Sequence, residues 1–203
     1  MTAVVLDISM SLDGFVTGPR PRAGVPLGEG GQRLHDWMFC GAAGTGEPPG
    51  YGETADVNGG VAKELFATTG AVLMGRRMFD LGIGPWGDTP FPVPCFVLTH
   101  NVHEDVIMGS GTFTFVTAGL AAALDRAKAA ADGKNVLAHS PDVAQQLLRA
   151  GLLDEIQLHL VPILLGAGRR LFDYTGQVAS RDLELTGVIE APGVTHLHYR
   201  LPR

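Results

Sequence analysis

The sequence is short of cysteine, with two thiols, Cys40 and Cys95, among 203 residues. Their separation is not that of a metal site, and two cysteines make no disulfide framework, so both are expected as reduced, partly buried thiols. Basic residues are outnumbered, 15 against 21 acidic, for a formal charge of −6. That balance argues against a nucleic-acid face, which needs net positive charge to displace counterions. No apolar run is long enough to span a bilayer. No positively charged segment precedes the first apolar stretch, so a secretory signal is not expected and the default compartment is the cytoplasm. The glycine fingerprint of Rossmann dinucleotide sites is absent, and so is a phosphate loop ending in Lys-Ser/Thr. There is no Gly-x-Ser-x-Gly nucleophile elbow. Seven histidines are scattered without metal-site spacing, and no metal is expected.

What is present is apolar content of 45%, enough for a substantial core in one domain of the upper common size. Glycine and proline gather in three tracts, about 18–32, 41–60 and 82–94, which read as loops. The second is either a lid over a site or a surface loop.

The most informative stretch runs from Asp132 to Phe172. A short apolar strand, Val136 to Ala138, enters Ser140-Pro141. Serine caps a helix with its hydroxyl, and proline suits the first helical position, where its missing N–H costs nothing. The helix should run to Ala150, with Val143, Ala144, Leu147 and Leu148 as its apolar stripe and Gly151 ending it. A long strand follows from Glu155 to Leu164, then a turn at Gly166-Ala167-Gly168. In such a strand–helix–strand unit ligands sit beyond the carboxyl ends of the strands, here at His139-Ser140.

Elsewhere, strands are expected at Ala3 to Ile8, Ala71 to Met74, Cys95 to Leu98 and Thr112 to Val116. Helices are expected at Gly60 to Thr68, from Gly75 onward, and from Thr117, as a cap, to about Ala131. Leu34 to Phe39 is a short helix or turn. Leu183 to Glu190 and Val194 to Leu201 read as an antiparallel hairpin, because Thr195, Leu197 and Tyr199 alternate with His196, His198 and Arg200. His159 alternates within an apolar strand and is expected in a core or interface.

Four stretches in order carry a family resemblance: Ser11-Leu12-Asp13-Gly14; Val72-Leu73-Met74-Gly75-Arg76 leading to Phe79; Gly151-Leu152-Leu153-Asp154-Glu155; and Pro162 through Leu165-Gly166-Ala167-Gly168 to Leu171-Phe172. The chain resembles the dihydrofolate-reductase-like family that includes the reductase domain of bacterial riboflavin biosynthesis, the RibD C-terminal type. The resemblance implies an α/β fold, a mixed central sheet flanked by helices, which binds NADPH without a Rossmann signature and commonly forms homodimers. It implies hydride transfer to a small pyrimidine, pterin or related heterocycle. The zinc motif of the linked deaminase, His-x-Glu with Pro-Cys-x-x-Cys, does not occur.

The resemblance gives Gly75 and Arg76 to the cofactor pyrophosphate, at a helix start whose amides suit an anion. Arg76 or Arg77 is placed to reach the adenosine 2′-phosphate. Thr99 and His100 fall at the adenosine end, and Gly166 in a loop approaching the site or a dimer seam. His139-Ser140 stands where the family commonly has a glycine pair on the pyrophosphate; the Ser140 hydroxyl is the compensating donor. This departure keeps open a ligand-binding protein without catalysis. Two carboxylates are catalytic candidates. Asp13, near the nicotinamide position, fixes a turn or supplies a proton. Asp36, with Trp37, resembles the acid–aromatic pair beside the pterin pocket of true dihydrofolate reductases; the alternative is an ordinary helix-start aspartate before a packing tryptophan.

Overall fold

The computed structural model describes residues 2–39, 56–173 and 180–202. Short β-branched and aromatic runs build the sheet, and the glycine-rich tracts connect them. In chain order the elements are β1 (Val4–Ser11), β2 (Phe15–Thr17), a 3-10 turn (Gly31–His35), α1 (Asp36–Phe39), α2 (Val57–Thr68), β3 (Thr69–Gly75) and α3 (Arg76–Trp86). Then come β4 (Cys95–Leu98), β5 (Val106–Ile107), β6 (Thr112–Val116), α4 (Leu120–Ala130), β7 (Asn135–Ala138) and α5 (Pro141–Ala150). The chain closes with β8 (Glu155–Val161), β9 (Arg169–Arg170), β10 (Glu184–Ala191) and β11 (Val194–Arg200).

The main sheet has the order β10-β11-β8-β1-β7-β3-β4-β6-β5, and β2 pairs with β9 apart from it. β8, β1, β7, β3, β4 and β6 run parallel, while β11 joins β8 antiparallel and carries the β10 hairpin at the edge. This is the expected mixed sheet with a C-terminal hairpin. On one face α4 and α5 set Leu124, Ala127, Val143 and Leu147 against Val4, Leu6, Leu73 and Ala138. On the other, α2 and α3 set Leu65 and Phe79 against Val72, Met74, Val97 and Leu137.

β7 and β3 are neighbours whose connections leave in opposite directions: β3 passes through α3 to β4, and β7 passes through α5 to β8 on the far side of β1. Right-handed crossovers in opposite directions put the two helices on opposite faces. A crevice therefore opens between the carboxyl ends of β7 and β3, where an open α/β sheet takes a ligand.

α5 follows its local signals. The Ser140 side chain accepts from the Val143 amide, Pro141 opens the helix, and Gly151 ends it in the left-handed conformation. Four expectations need correction. The helix after Gly75 does not stop before 82; it continues to Trp86, so the loop starts at Gly87. Packing overrides the weak propensity of Gly82, Gly84 and Pro85: the Trp86 ring lies over Gly82, where a Cβ would meet it at 2.3 Å, and stacks on Phe113. Residues 57–60 belong to α2, capped by Asp56, whose carboxylate accepts from the Gly59 amide; the remainder of the 41–60 tract, 41–55, lies outside the described residues. Thr117 caps nothing, because the chain bends once more and α4 starts after Gly119, at φ +91°. β8 also ends earlier than expected, at Val161, since Pro162 has no amide for the ladder.

Candidate functional site

The site begins with the central strand. β1 reads Val4-Val5-Leu6-Asp7-Ile8-Ser9-Met10-Ser11, and residues two apart share a face. Val4, Leu6, Ile8 and Met10 face the α4–α5 core. Asp7, Ser9 and Ser11 face the other way, and all are buried. The register extends this polar face, since His159 lies opposite Ser9 on one side and His196 on the other. Three neighbouring strands thus build a buried polar floor.

Buried polar groups need partners, and these form one chain. Asp7 Oδ2 is 2.9 Å from His159 Nε2, His159 Nδ1 is 2.8 Å from His196 Nδ1, and His196 Nε2 is 3.0 Å from Asn58 Oδ1. The Asn58 amide donates onward to the Pro192 carbonyl at 3.3 Å. Trp37 covers the chain, its ring 4.6 Å from that of His159 and 4.9 Å from that of His196, and its indole N–H donates to Ser9 Oγ. His159 is therefore a core residue, as its alternation suggests, but a hydrogen-bonded one.

Above this floor lies a cavity of about 1140 Å³. Asp7, Ser9, Trp37 and His159 line it, with Gly75, Arg77, His139 and Ser140 from the crevice and His35, Asp36, Arg169 and Arg170 from the opposite wall. Thr17 Oγ1, His35 Nδ1, His139 Nδ1 and Arg169 Nε are buried without a hydrogen-bond partner among the described residues. All four residues line the cavity, so each offers a polar atom to a ligand there. Burial pushes the His35 and His139 imidazoliums down to about 4, leaving neutral rings at physiological pH.

The expected site residues divide. Gly75, Arg77, His139, Ser140 and Asp36 come together on the cavity wall. Asp36 is exposed there, and it is its neighbour Trp37 that is buried. Arg76 turns outward along α3, bonded to Asp80 and lying 5.6 Å over the Phe115 ring, on the side of β4 and β6. Thr99 follows β4, its hydroxyl accepting from the Asn101 amide, and His100 is exposed beside it. Asp13 fastens two loops: it accepts from the Ser11 hydroxyl, the Leu165 amide and the Gly166 amide. The Ser11 bond first, then those amides, hold its carboxyl down to about 2. Asp13 is thus a standing acceptor, and Gly166 spends its amide on it.

Asp7, His159, His196 and Asn58 are the functional candidates that sequence reasoning missed. The period-two Asp7-Ser9-Ser11 in an otherwise apolar strand was the available signal; a buried strand has no other reason to carry it.

Ser140 also ties the crevice together. Its hydroxyl accepts from the Gly75 amide at 3.1 Å, besides capping α5. Ser140→Ala leaves both amides without that acceptor and is expected to cost about 1–3 kcal/mol. For a chain of this size that is a drop of about 5 °C in Tm; an unchanged melting curve shows that other acceptors replace the hydroxyl.

Comparison with known proteins agrees with this fold. The model of the RibD C-terminal domain family matches residues 2–197. A solved structure titled a putative riboflavin biosynthesis protein from Shewanella sp. PV-4 is similar at TM-score 0.69 and 21% identity, covering 100% of both chains. A pyrimidine reductase-like protein from Corynebacterium diphtheriae is similar at TM-score 0.62 and 13% identity, covering 100% of this chain and 92% of that one. At these identities the two structures speak for the dihydrofolate-reductase-like fold. No curated protein matches.

Proposed function

The chain belongs to the RibD C-terminal domain family, and from that premise we propose that it is an NADPH-dependent reductase acting on a small pyrimidine, pterin or related heterocycle. The observation that carries the reading is the crevice between β7 and β3 opening into the polar-floored cavity. The residues fit the nucleotide: the start of α3 just after Gly75, whose own amide Ser140 holds, presents its next amides to phosphate, Arg77 lines the cavity, and Arg76, Thr99 and His100 lie along the sheet toward β4 for the adenosine end. When bound, the nicotinamide supplies a hydride to an electron-poor carbon. The chain's own task is to hold that carbon in place and exclude water. Trp37, Phe15 and Phe91 offer flat apolar walls to a ring, and Asp36 stands at the rim as a carboxylate for its polar edge. Asp13, as a loop fastener, positions the strand end beneath.

The same reading makes the protein a homodimer. β10 is a sheet edge with Leu185 54% and Val188 53% exposed, a surface that a second copy would cover. A sedimentation measurement giving a monomer at micromolar concentration rejects that part.

Calorimetric titration with NADPH and NADH, followed by turnover of a pyrimidine and pterin panel, tests the whole. Arg76→Ala or Arg77→Ala is expected to lower the preference for NADPH over NADH about tenfold, the worth of one charge-assisted phosphate contact. If the affinity ratio survives both substitutions, neither guanidinium reads the 2′-phosphate. A second reading, binding without catalysis, draws on the Ser140 hydroxyl already holding the Gly75 amide and on the His139 ring beside it. It predicts nucleotide binding with no turnover across the panel.

A further inference from the structure

The hydrogen bonds of the floor fix where its protons lie. The Pro192 carbonyl can only accept, so the nitrogen of the Asn58 amide faces it and Asn58 Oδ1 faces His196. His196 Nε2 must then carry a proton. Burial pushes the His196 imidazolium down to about 4, so this ring is neutral and its Nδ1 is bare. The 2.8 Å contact between the two Nδ1 atoms then requires the proton on His159. The remaining contact, His159 Nε2 to Asp7 Oδ2 at 2.9 Å, also needs one proton, because a bare nitrogen facing a carboxylate would repel. That proton sits on His159, making an imidazolium–carboxylate pair, or on Asp7, making a neutral one. The count is the same either way, and the pair holds one proton more than an ionised aspartate and a neutral histidine.

Both residues line the cavity. We infer that the Asp7–His159 pair is the proton donor of the reaction, with His196 and Asn58 as the positioning residues that lock its tautomer. The inference rests on the reductase reading. A bound reduced nicotinamide would supply two electrons and one hydrogen nucleus to the carbon of a C=N or C=O bond. The π pair of that bond moves to the heteroatom, which takes the proton from Asp7–His159, directly or through one water. The pair is left one negative charge richer and recovers its proton from solvent once product has gone. Losing the proton breaks the Asp7–His159 hydrogen bond, and regaining it from solvent restores that bond. The other titratable groups that interact with the pair are His35 from the 3-10 turn, His139 after β7 and His196 from β11, and His198 interacts in turn with His196. His35 and His139 are held neutral by burial, which leaves the proton on the pair.

Nitrogen-15 NMR of the ring nitrogens in the wild-type protein at pH 8 tests the proton count without any ligand. Protonation at both nitrogens of His159 and at Nε2 of His196 is expected, or at Nδ1 of His159 alone with the proton on Asp7; two ordinary tautomers titrating near the free-histidine value of about 6.5 overturn it. Asp7→Asn is expected to keep NADPH affinity while slowing single-turnover reduction of whichever pyrimidine or pterin of the panel the wild type turns over, at least about 100-fold. Asn58→Leu, which frees the His196 tautomer, should move the alkaline limb of the pH–rate profile to lower pH. If Asp7→Asn reduces the substrate at the wild-type rate, the donor role fails and the reductase reading stands. If the wild type binds NADPH but reduces nothing in the panel, both fail.

Discussion

Unfolding of this protein is expected to become steeply easier as the pH falls from about 6.5 toward 4. Three histidines, His196 buried and His35 and His139 half-buried on the cavity wall, have imidazoliums that desolvation pushes down to about 4 in the native state. In the unfolded chain each returns to about 6.5. Between those values the unfolded state binds protons that the folded state refuses, so the stability these three histidines contribute is full above about 6.5 and falls as the pH drops. At pH 5 each histidine taken alone accounts for about 2 kcal/mol, and because the rings also lower one another the joint loss is smaller than the plain sum. Even so it is a large share of the stability of an ordinary domain. Urea denaturation at pH 7.5 and pH 5 measures the effect. His139 is the cleanest single probe, since its Nδ1 has no partner among the described residues. His139→Leu should remove about a third of the pH dependence, and an undiminished slope would mean that His139 is protonated in the native protein.

Gly168→Ala is expected to be the most damaging single-methyl change in the loop after β8. Gly168 sits at φ +139°, and a Cβ there would lie 1.9 Å from the Thr17 carbonyl oxygen and 3.0 Å from the Gly18 carbonyl carbon. These are backbone atoms and cannot rotate aside. The loop would have to leave β2, separating Thr17 from Arg169 and Phe15 from Arg170, which pair across β2 and β9. A loss of about 4 kcal/mol or more follows from combined strain and clash, seen as a fall in Tm of at least about 8 °C. The control lies two residues earlier. Gly166 is also left-handed, at φ +72°, but a Cβ there meets nothing within 4 Å, so Gly166→Ala should cost only about 1 kcal/mol. Equal losses at the two positions would show that backbone conformation, not close approach, makes the motif glycine. The change also reaches the site. Arg170 lies 4.4 Å over the Phe15 ring and Arg169 pairs with Asp142 at the start of α5, both on the cavity wall.

Not everything about the site was equally legible. The α5 unit could be read because its signals are local: Ser140 reaches Val143, three residues on, and Gly151 needs only its own backbone freedom. The loop at Gly82 to Trp86 misled for the opposite reason. Its composition argues against helix, and the ring of Trp86 against Phe113, a partner well along the chain, decides for it. The candidate carboxylates show the same division. Asp13 and Asp36 stand out in sequence because each neighbours a turn or a tryptophan, whereas Asp7 is marked only by its alternation with Ser9 and Ser11 inside a strand.

The amino-acid sequence by itself determined the strand and helix alternation, the closing hairpin and the two βα turns at Gly75 and Ser140. Each depends on spacing and residue type within a few positions. Only the tertiary structure decided that Asp7, His159, His196 and Asn58 form one hydrogen-bonded chain. Asp7 and His159 are 152 residues apart, and His196 and Asn58 are 138 apart. Residues that distant meet through strand order and register, and a one-residue slip between β1, β8 and β11 would turn the same side chains into the opposite core.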